Sequence, residues 1–170
     1  MIIRLVARNV EVKIRVRDLD ALAARAKSLG AEERSVLRQV DTYFRAEGRL
    51  KLREMEGSAE LIAYSRPDVG GLRTSRYTVT PVSDPEAVKR AHEVIARVAK
   101  TRRLLMLGRT RIHLDSVEGL GEFLELEVVL REDEDERIGG REAEDLLRGL
   151  GVERAERIAG SYVDAVTSRT

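Results

Sequence analysis

The sequence predicts an α+β fold built mainly from antiparallel strands. About eight segments alternate apolar and polar residues with period two, and three to four stretches carry helical spacing, the longer helices lying between groups of strands. At 170 residues the chain is one domain long, enough to bury a core without cross-links, so a single domain over 1–170 is expected.

Composition narrows the function classes. Charged residues make up 36% of the chain, 31 Lys and Arg against 30 Asp and Glu, whereas aromatics are 4% and Trp and Cys are absent. Without Cys there is no disulfide, thiolate metal site or cysteine nucleophile. No apolar run approaches the ~20 residues of a membrane span and no leader pattern opens the chain, so a cytoplasmic protein without a membrane partner is expected. The net charge of +1 hides an asymmetry: residues 1–113 hold 24 basic and 14 acidic side chains, residues 114–170 hold 7 and 16. A basic surface would suit nucleic acid, but four Tyr and two Phe offer little stacking and no basic tail stands apart, so that partner is not expected.

Residues 9–17 are the clearest strand, with Val10, Val12, Ile14 and Val16 on one face and Asn9, Glu11, Lys13, Arg15 and Arg17 on the other. Asp18 caps a helix carrying Leu19, Leu22, Ala26 and Leu29, and Gly30 stops it. Extended segments resume at Val40 and cover 41–44, 49–53, 60–66 and 74–80, separated by Glu47-Gly48, Glu56-Gly57 and the loop 68–71; in the last of them Arg76, Thr78 and Thr80 share a face. Ser83 or Asp84 caps a second helix, read through the stripe Val88, Ala91, Ile95 and Val98, with His92 at its boundary. Strands follow at 100–107, 109–116 and 123–130; a loop spans 132–140 with Gly139-Gly140 as a joint, then come a helix with Leu146, Leu147 and Leu150 and a last one from Ser161.

The polar strand faces are unusual in kind. They carry Lys51 and Arg53, Arg66, Arg76, Lys100 and Arg102, then Arg109, Arg111, His113 and Asp115, with carboxylates concentrated at Glu11, Glu125 and Glu127. One reading is a solvated sheet face. The other is a sheet closed into an eight-stranded barrel, apolar faces outward under the helices and charged faces lining a tunnel. Like-signed cations inside would be costly without a polyanion. Triphosphate is such a partner, and a divalent ion on Glu125 and Glu127, which point the same way at i and i+2, explains why acids and bases share the space.

Segments across nearly the whole chain carry a family resemblance. Asn9-Val-Glu-Val-Lys13 is similar to the Glu-x-Glu-x-Lys opening strand of the CYTH superfamily, the triphosphate tunnel metalloenzymes; 39–44, 49–54, 61–66, 100–102, 112–117, 119–127 and 160–162 follow in the same order. The length, Asp41-Thr-Tyr-Phe and Ser161-Tyr162 most resemble the branch with class IV adenylate cyclases. The resemblance implies a closed antiparallel β-tunnel with flanking helices and an enzyme using Mg2+ or Mn2+. Glu11, Glu125 and Glu127 would hold metal, and Lys13, Lys51, Arg53, Arg66, Arg76, Arg102 and Arg111 would contact phosphate, with Lys100 and Arg109 alongside. Asp115 would orient a cation or complete the metal shell. Asn9 departs from the pattern: its amide oxygen can ligate Mg2+ but brings no charge.

Two reactions fit such a tunnel. In a cyclase the ATP 3′-hydroxyl attacks the α-phosphorus and pyrophosphate leaves; in a phosphohydrolase water attacks the terminal phosphorus of inorganic triphosphate, thiamine triphosphate or a nucleotide. Glu11 or Lys13 could serve as base, and His113 could touch substrate or Asp115. Another organic di- or triphosphate, or a non-catalytic nucleotide- or polyphosphate-binding module, also fits. Pairing of two chains through exposed strands or helices is open.

Overall fold

The computed structural model describes residues 7–168, so the expected domain boundaries at 1–6 and 169–170 lie outside the described residues. The chain runs β1 (Ala7–Val16), α1 (Leu19–Ser28), β2 (Glu32–Phe44), β3 (Arg49–Met55), β4 (Ser58–Ser65), β5 (Arg73–Pro81), α2 (Pro85–Ala91), β6 (Val94–Leu107), β7 (Thr110–Val117), β8 (Gly121–Val129), α3 (Glu136–Leu150) and α4 (Tyr162–Thr167). The eight strands close into a barrel in the order β1-β5-β4-β3-β2-β6-β7-β8, every neighbouring pair antiparallel. No helix among the described residues is long and apolar enough to cross a membrane.

The hydrophobic core sits outside the barrel. Val12, Ile14, Ile112, Leu114, Leu124 and Leu126 turn their apolar faces outward from β1, β7 and β8 and pack against Leu22, Ala23 and Ala26 of α1 and Leu146, Leu147 and Leu150 of α3. Asp18 caps α1 by accepting from the Ala21 amide at 2.9 Å. A second cluster joins Tyr43, Val98, Val117, Leu120 and Phe123 to Tyr162 and Val163, seating α4 across one end. Burial of apolar area therefore holds the strands in place from without and leaves the inner faces free for charge.

Three boundaries differ from the sequence pattern. β2 begins at Glu32, eight residues before the extended run expected from Val40. Its first half mixes Ser35, Leu37 and Gln39 on one face with Val36, 56% exposed, on the other, so the contrast that signals a strand is missing. The second helix ends at Ala91, and Ile95 and Val98 belong to β6, where Val94 pairs with Phe44 and Val98 with Asp41. Their helical spacing is coincidental, and the β-branched residues follow strand pairing. Gly139-Gly140 is not a loop joint but lies in the first half of α3.

The reason for Gly139 is close approach: a Cβ there would lie 2.7 Å from Leu130 Cδ2 and 3.1 Å from Val10 Cγ2. Gly139→Ala gains about 1 kcal/mol of helix propensity but forces α3 off β1 and β8. The expected net outcome is destabilisation by about 1–3 kcal/mol in chemical unfolding; a variant as stable as the parent or more so contradicts this packing.

Candidate active site

Strand alternation delivers side chains from all eight strands into a cavity of about 280 Å3. Seven Lys and Arg line it, against four Glu: Lys13 from β1, Lys51 and Arg53 from β3, Arg66 after β4, Lys100 and Arg102 from β6 and Arg111 from β7, facing Glu11, Glu60, Glu125 and Glu127. Arg73, Asp41 and Asp115, all buried, stand in the wall behind them. Among the described residues the interior thus carries an excess of positive charge.

Asp41 organises the basic wall. Its fully buried carboxylate accepts from Lys51 Nζ at 3.0 Å, from Arg53 Nε and a terminal nitrogen at 2.8 Å each, and from Lys100 Nζ at 2.8 Å. One anion serves three cations. Burial disfavours the Asp41 charge, but Lys51, Arg53 and Lys100 outweigh it and hold the carboxyl well below its usual value. Burial in turn lowers Lys51 to about 8 and Lys100 well below an exposed lysine, Arg53 adding to both and Asp41 opposing.

Asp115 plays the same part for Arg102. The guanidinium donates to both its oxygens, at 2.7 and 2.6 Å, and the Tyr162 hydroxyl adds a third bond at 2.7 Å. Asp115 is fully buried behind Arg102 and does not line the cavity, which makes it a positioning residue. Burial opposes its charge, yet Arg102 brings it down to about 2 from 3.8. A folded-state pKa below the unfolded one contributes stability above pH ~4 that is lost as pH falls toward 2, about 2 kcal/mol in this case.

The acidic wall lies on β7, β8 and β1. Glu125 gives one oxygen to Lys13 Nζ at 2.9 Å, and Glu127 one to Arg111 Nε at 2.7 Å. The second oxygen of each faces His113 Nδ1 at 3.7 Å, too long for a hydrogen bond, and that nitrogen is buried without a partner. One ligand atom from each of the three lies within 4.8 Å of the others. Asn9 Oδ1, on the neighbouring strand, is also buried and unpartnered. Arg102 lies 3.8 Å from the Glu125 oxygen that faces His113, beyond hydrogen-bond distance; orphaned acceptors beside carboxylate oxygens without a hydrogen bond are a donor set that fits a divalent cation.

Glu11 is differently placed. Arg66 and Arg73 both donate to its Oε1, Arg73 at 3.1 Å. Burial and the nearby Glu125 push the carboxyl up against the pull of Arg66. Lys13 lies 3.7 Å over the Tyr162 ring, so α4 floors the cavity at that end.

Two expected phosphate residues lie elsewhere. Arg76 is exposed on the outer face of β5, because Arg73, Ser75, Tyr77 and Val79 are the ones that turn inward. Arg109 sits before β7 begins and turns out to Glu134 at 2.5 Å and Glu142 at 2.8 Å. Residues the pattern did not single out are Asp41, Arg73, Tyr162, Glu60 and Tyr77, the last three lining the cavity. Asp41 carried a signal, an acid alternating with Tyr43 and Gln39 on an inward face. Arg73 did not, because the Gly70-Gly71 loop masks where β5 starts.

The CYTH domain model matches residues 7–162. The chain belongs to the CYTH domain family. A Methanocaldococcus jannaschii protein named as a candidate adenylate cyclase is 23% identical, the match covering 92% of this chain and 97% of that protein. Among solved structures, a Pyrococcus horikoshii protein superposes with a TM-score of 0.80 at 24% identity, over 92% of this chain and 98% of that one. A Hippeastrum protein described as a candidate adenylyl cyclase with a dominant triphosphatase activity has a TM-score of 0.69 at 15% identity, over 95% and 96% of the two chains. The structural neighbours share the tunnel fold.

Removing Asp115's charge tests the electrostatic account. Asp115→Asn leaves Arg102 buried and uncompensated, so a loss of about 3–5 kcal/mol is expected in urea unfolding at pH 7. At pH 2.5, where the parent has lost most of this contribution, the difference should shrink by about half. Equal stability at pH 7 contradicts the assignment.

Proposed function

We propose that this chain is a metal-dependent enzyme acting on a triphosphate held in the tunnel, first by the class IV adenylate cyclase reaction. The observation that carries the reading is the excess of Lys and Arg around a barrel cavity on whose opposite wall Glu125 and Glu127 turn oxygens toward the unpartnered His113 Nδ1. Lys51, Arg53, Lys100 and Arg102 would hold phosphate oxygens on one wall, and Arg66 and Arg111 flank them. Arg66 has a buried Nε without a partner, a donor free for an anion.

Glu125, Glu127 and His113, with Asn9 beside them, would hold Mg2+ or Mn2+. When bound, the ion neutralises phosphate oxygens and acts as a Lewis acid. The chain's own groups do the rest. Bound in line, the ribose 3′-hydroxyl forms a bond to the α-phosphorus while the bond to the bridging oxygen breaks, and the charge growing on pyrophosphate falls against Lys and Arg already in place. Tyr64 and Tyr77 line the cavity and offer faces to a base. Glu11, engaged by two guanidiniums, is poorly placed as general base. Lys51 would bind phosphate as the charged ammonium, so the 3′-hydroxyl proton leaves to solvent.

A second reading is hydrolysis of inorganic or thiamine triphosphate; the cavity's modest volume, about 280 Å3, favours the inorganic ion, since thiamine triphosphate is as bulky as ATP. Phosphorus NMR with ATP, inorganic triphosphate and thiamine triphosphate, each with Mg2+ or Mn2+, separates the readings. The cyclase predicts pyrophosphate plus a cyclic nucleotide, and the hydrolase orthophosphate. Binding without turnover of any substrate contradicts both and leaves a binding module.

The lowered Lys51 pKa gives a pH prediction. A bound polyanion favours the charged ammonium, so ATP binding above pH ~8 should draw in a proton, and affinity should fall as pH rises beyond that point. Calorimetry at pH 8.5 in two buffers of different ionisation enthalpy reads the uptake, which Lys51→Arg should reduce. Buffer-independent heats for the parent contradict it.

A further inference from the structure

The β1 side of the tunnel and the β7–β8 side are not equivalent places for a cation. On β1, Asn9 is uncharged and Oε1 of Glu11 accepts from both Arg66 and Arg73. Arg73 cannot easily leave: its side chain is fully buried, and it also donates to the carbonyls of Val69 and Gly160, each at 3.1 Å. Among the described residues, the acidic and imidazole ligand atoms close enough together to share an ion are those of His113, Glu125 and Glu127, none of them from β1. On β7–β8, Glu125 and Glu127 each turn one oxygen toward His113 while Lys13 and Arg111 hold the other, and the Arg102 guanidinium lies 3.8 Å from the inward Glu125 oxygen.

The third group on that wall is a nitrogen. His113 is 6% exposed, pairs across the ladder with Glu125, and points an unpartnered Nδ1 between those two oxygens. Mg2+ favours oxygen donors and surrenders water reluctantly, whereas imidazole suits first-row transition dications. We infer that the tunnel holds one divalent ion, on the β7–β8 wall, with His113 Nδ1 as a direct ligand beside Glu125 and Glu127, and that this nitrogen selects a transition dication over Mg2+. The inference rests on the metal dependence proposed above, and it adds the ion count, the ligating nitrogen atom and the selectivity.

Mn2+ serves as the probe. Titration of the full chain followed by the electron paramagnetic resonance of free Mn2+ should give one site per chain, and Mg2+ competition should need an excess of at least about tenfold. Electron spin-echo modulation of the bound ion should contain a 14N frequency. His113→Ala should remove that modulation and weaken Mn2+ at least about tenfold while changing Mg2+ less than about threefold. His113→Asp, which keeps a ligand but makes it oxygen, should narrow the preference toward Mg2+. Two tight sites, a fully bound Mn2+ without nitrogen modulation in the parent, or an unchanged Mn2+/Mg2+ ratio in both variants overturns the inference and leaves the metal-dependent reading standing. No binding of either ion overturns both.

Discussion

One carboxylate, Asp41, shared by two lysines and an arginine, is the interaction on which the rest of the structure depends. Gathering Lys51, Arg53 and Lys100 in a low-dielectric interior is unfavourable, and a single anion compensates only part of it. The lowered pKa values of both lysines express what remains. An interior of this kind cannot serve as a hydrophobic core, and the fold accordingly reverses the usual small barrel: its apolar side chains point outward beneath α1 and α3.

The charge inside is sorted by wall. The cations held by Asp41, together with Arg102, occupy β3 and β6, whereas Glu125, Glu127, His113 and Asn9 occupy β8, β7 and β1 beside Lys13 and Arg111. A metal–polyphosphate pair would find opposite preferences on the two sides, its ion toward the carboxylates and its phosphates toward the guanidiniums and ammoniums. Asp115 and Tyr162 fix Arg102 between the walls, and the Gly160 carbonyl ties Arg66 and Arg73 to the segment leading into α4. The end of the barrel at α4 is therefore bound to the site by hydrogen bonds as well as by packing.

Much of this was legible in the sequence where apolar and charged residues alternate sharply. β1 and β8 could be read residue by residue, and with them Glu11, Lys13, Glu125 and Glu127. The ordered likeness to the CYTH family supplied the closure that periodicity alone cannot. Legibility failed where an inward face is not polar. On β5 the cavity side carries Tyr77 and Val79, so the rule that polar residues face the tunnel selected Arg76, which faces solvent, over Arg73. It failed at strand ends too, since one residue of register decides whether Arg109 joins Arg111 or turns to α3. Partnerships such as Asp41 with Lys100 span 59 positions and arise from barrel closure, which no local pattern encodes.

The central claim is that the uncompensated positive interior is complementary to a polyphosphate. Thermal unfolding of the full chain at low ionic strength with increasing inorganic triphosphate tests it most directly, because a ligand bound only by the folded state stabilises it by about 2.7 kcal/mol at one hundred times Kd. The account predicts a midpoint that rises steadily with triphosphate, much more than with sulfate at equal ionic strength, and a smaller rise when Lys51 and Lys100 are both replaced by Met. A midpoint that triphosphate raises no more than sulfate does would contradict it.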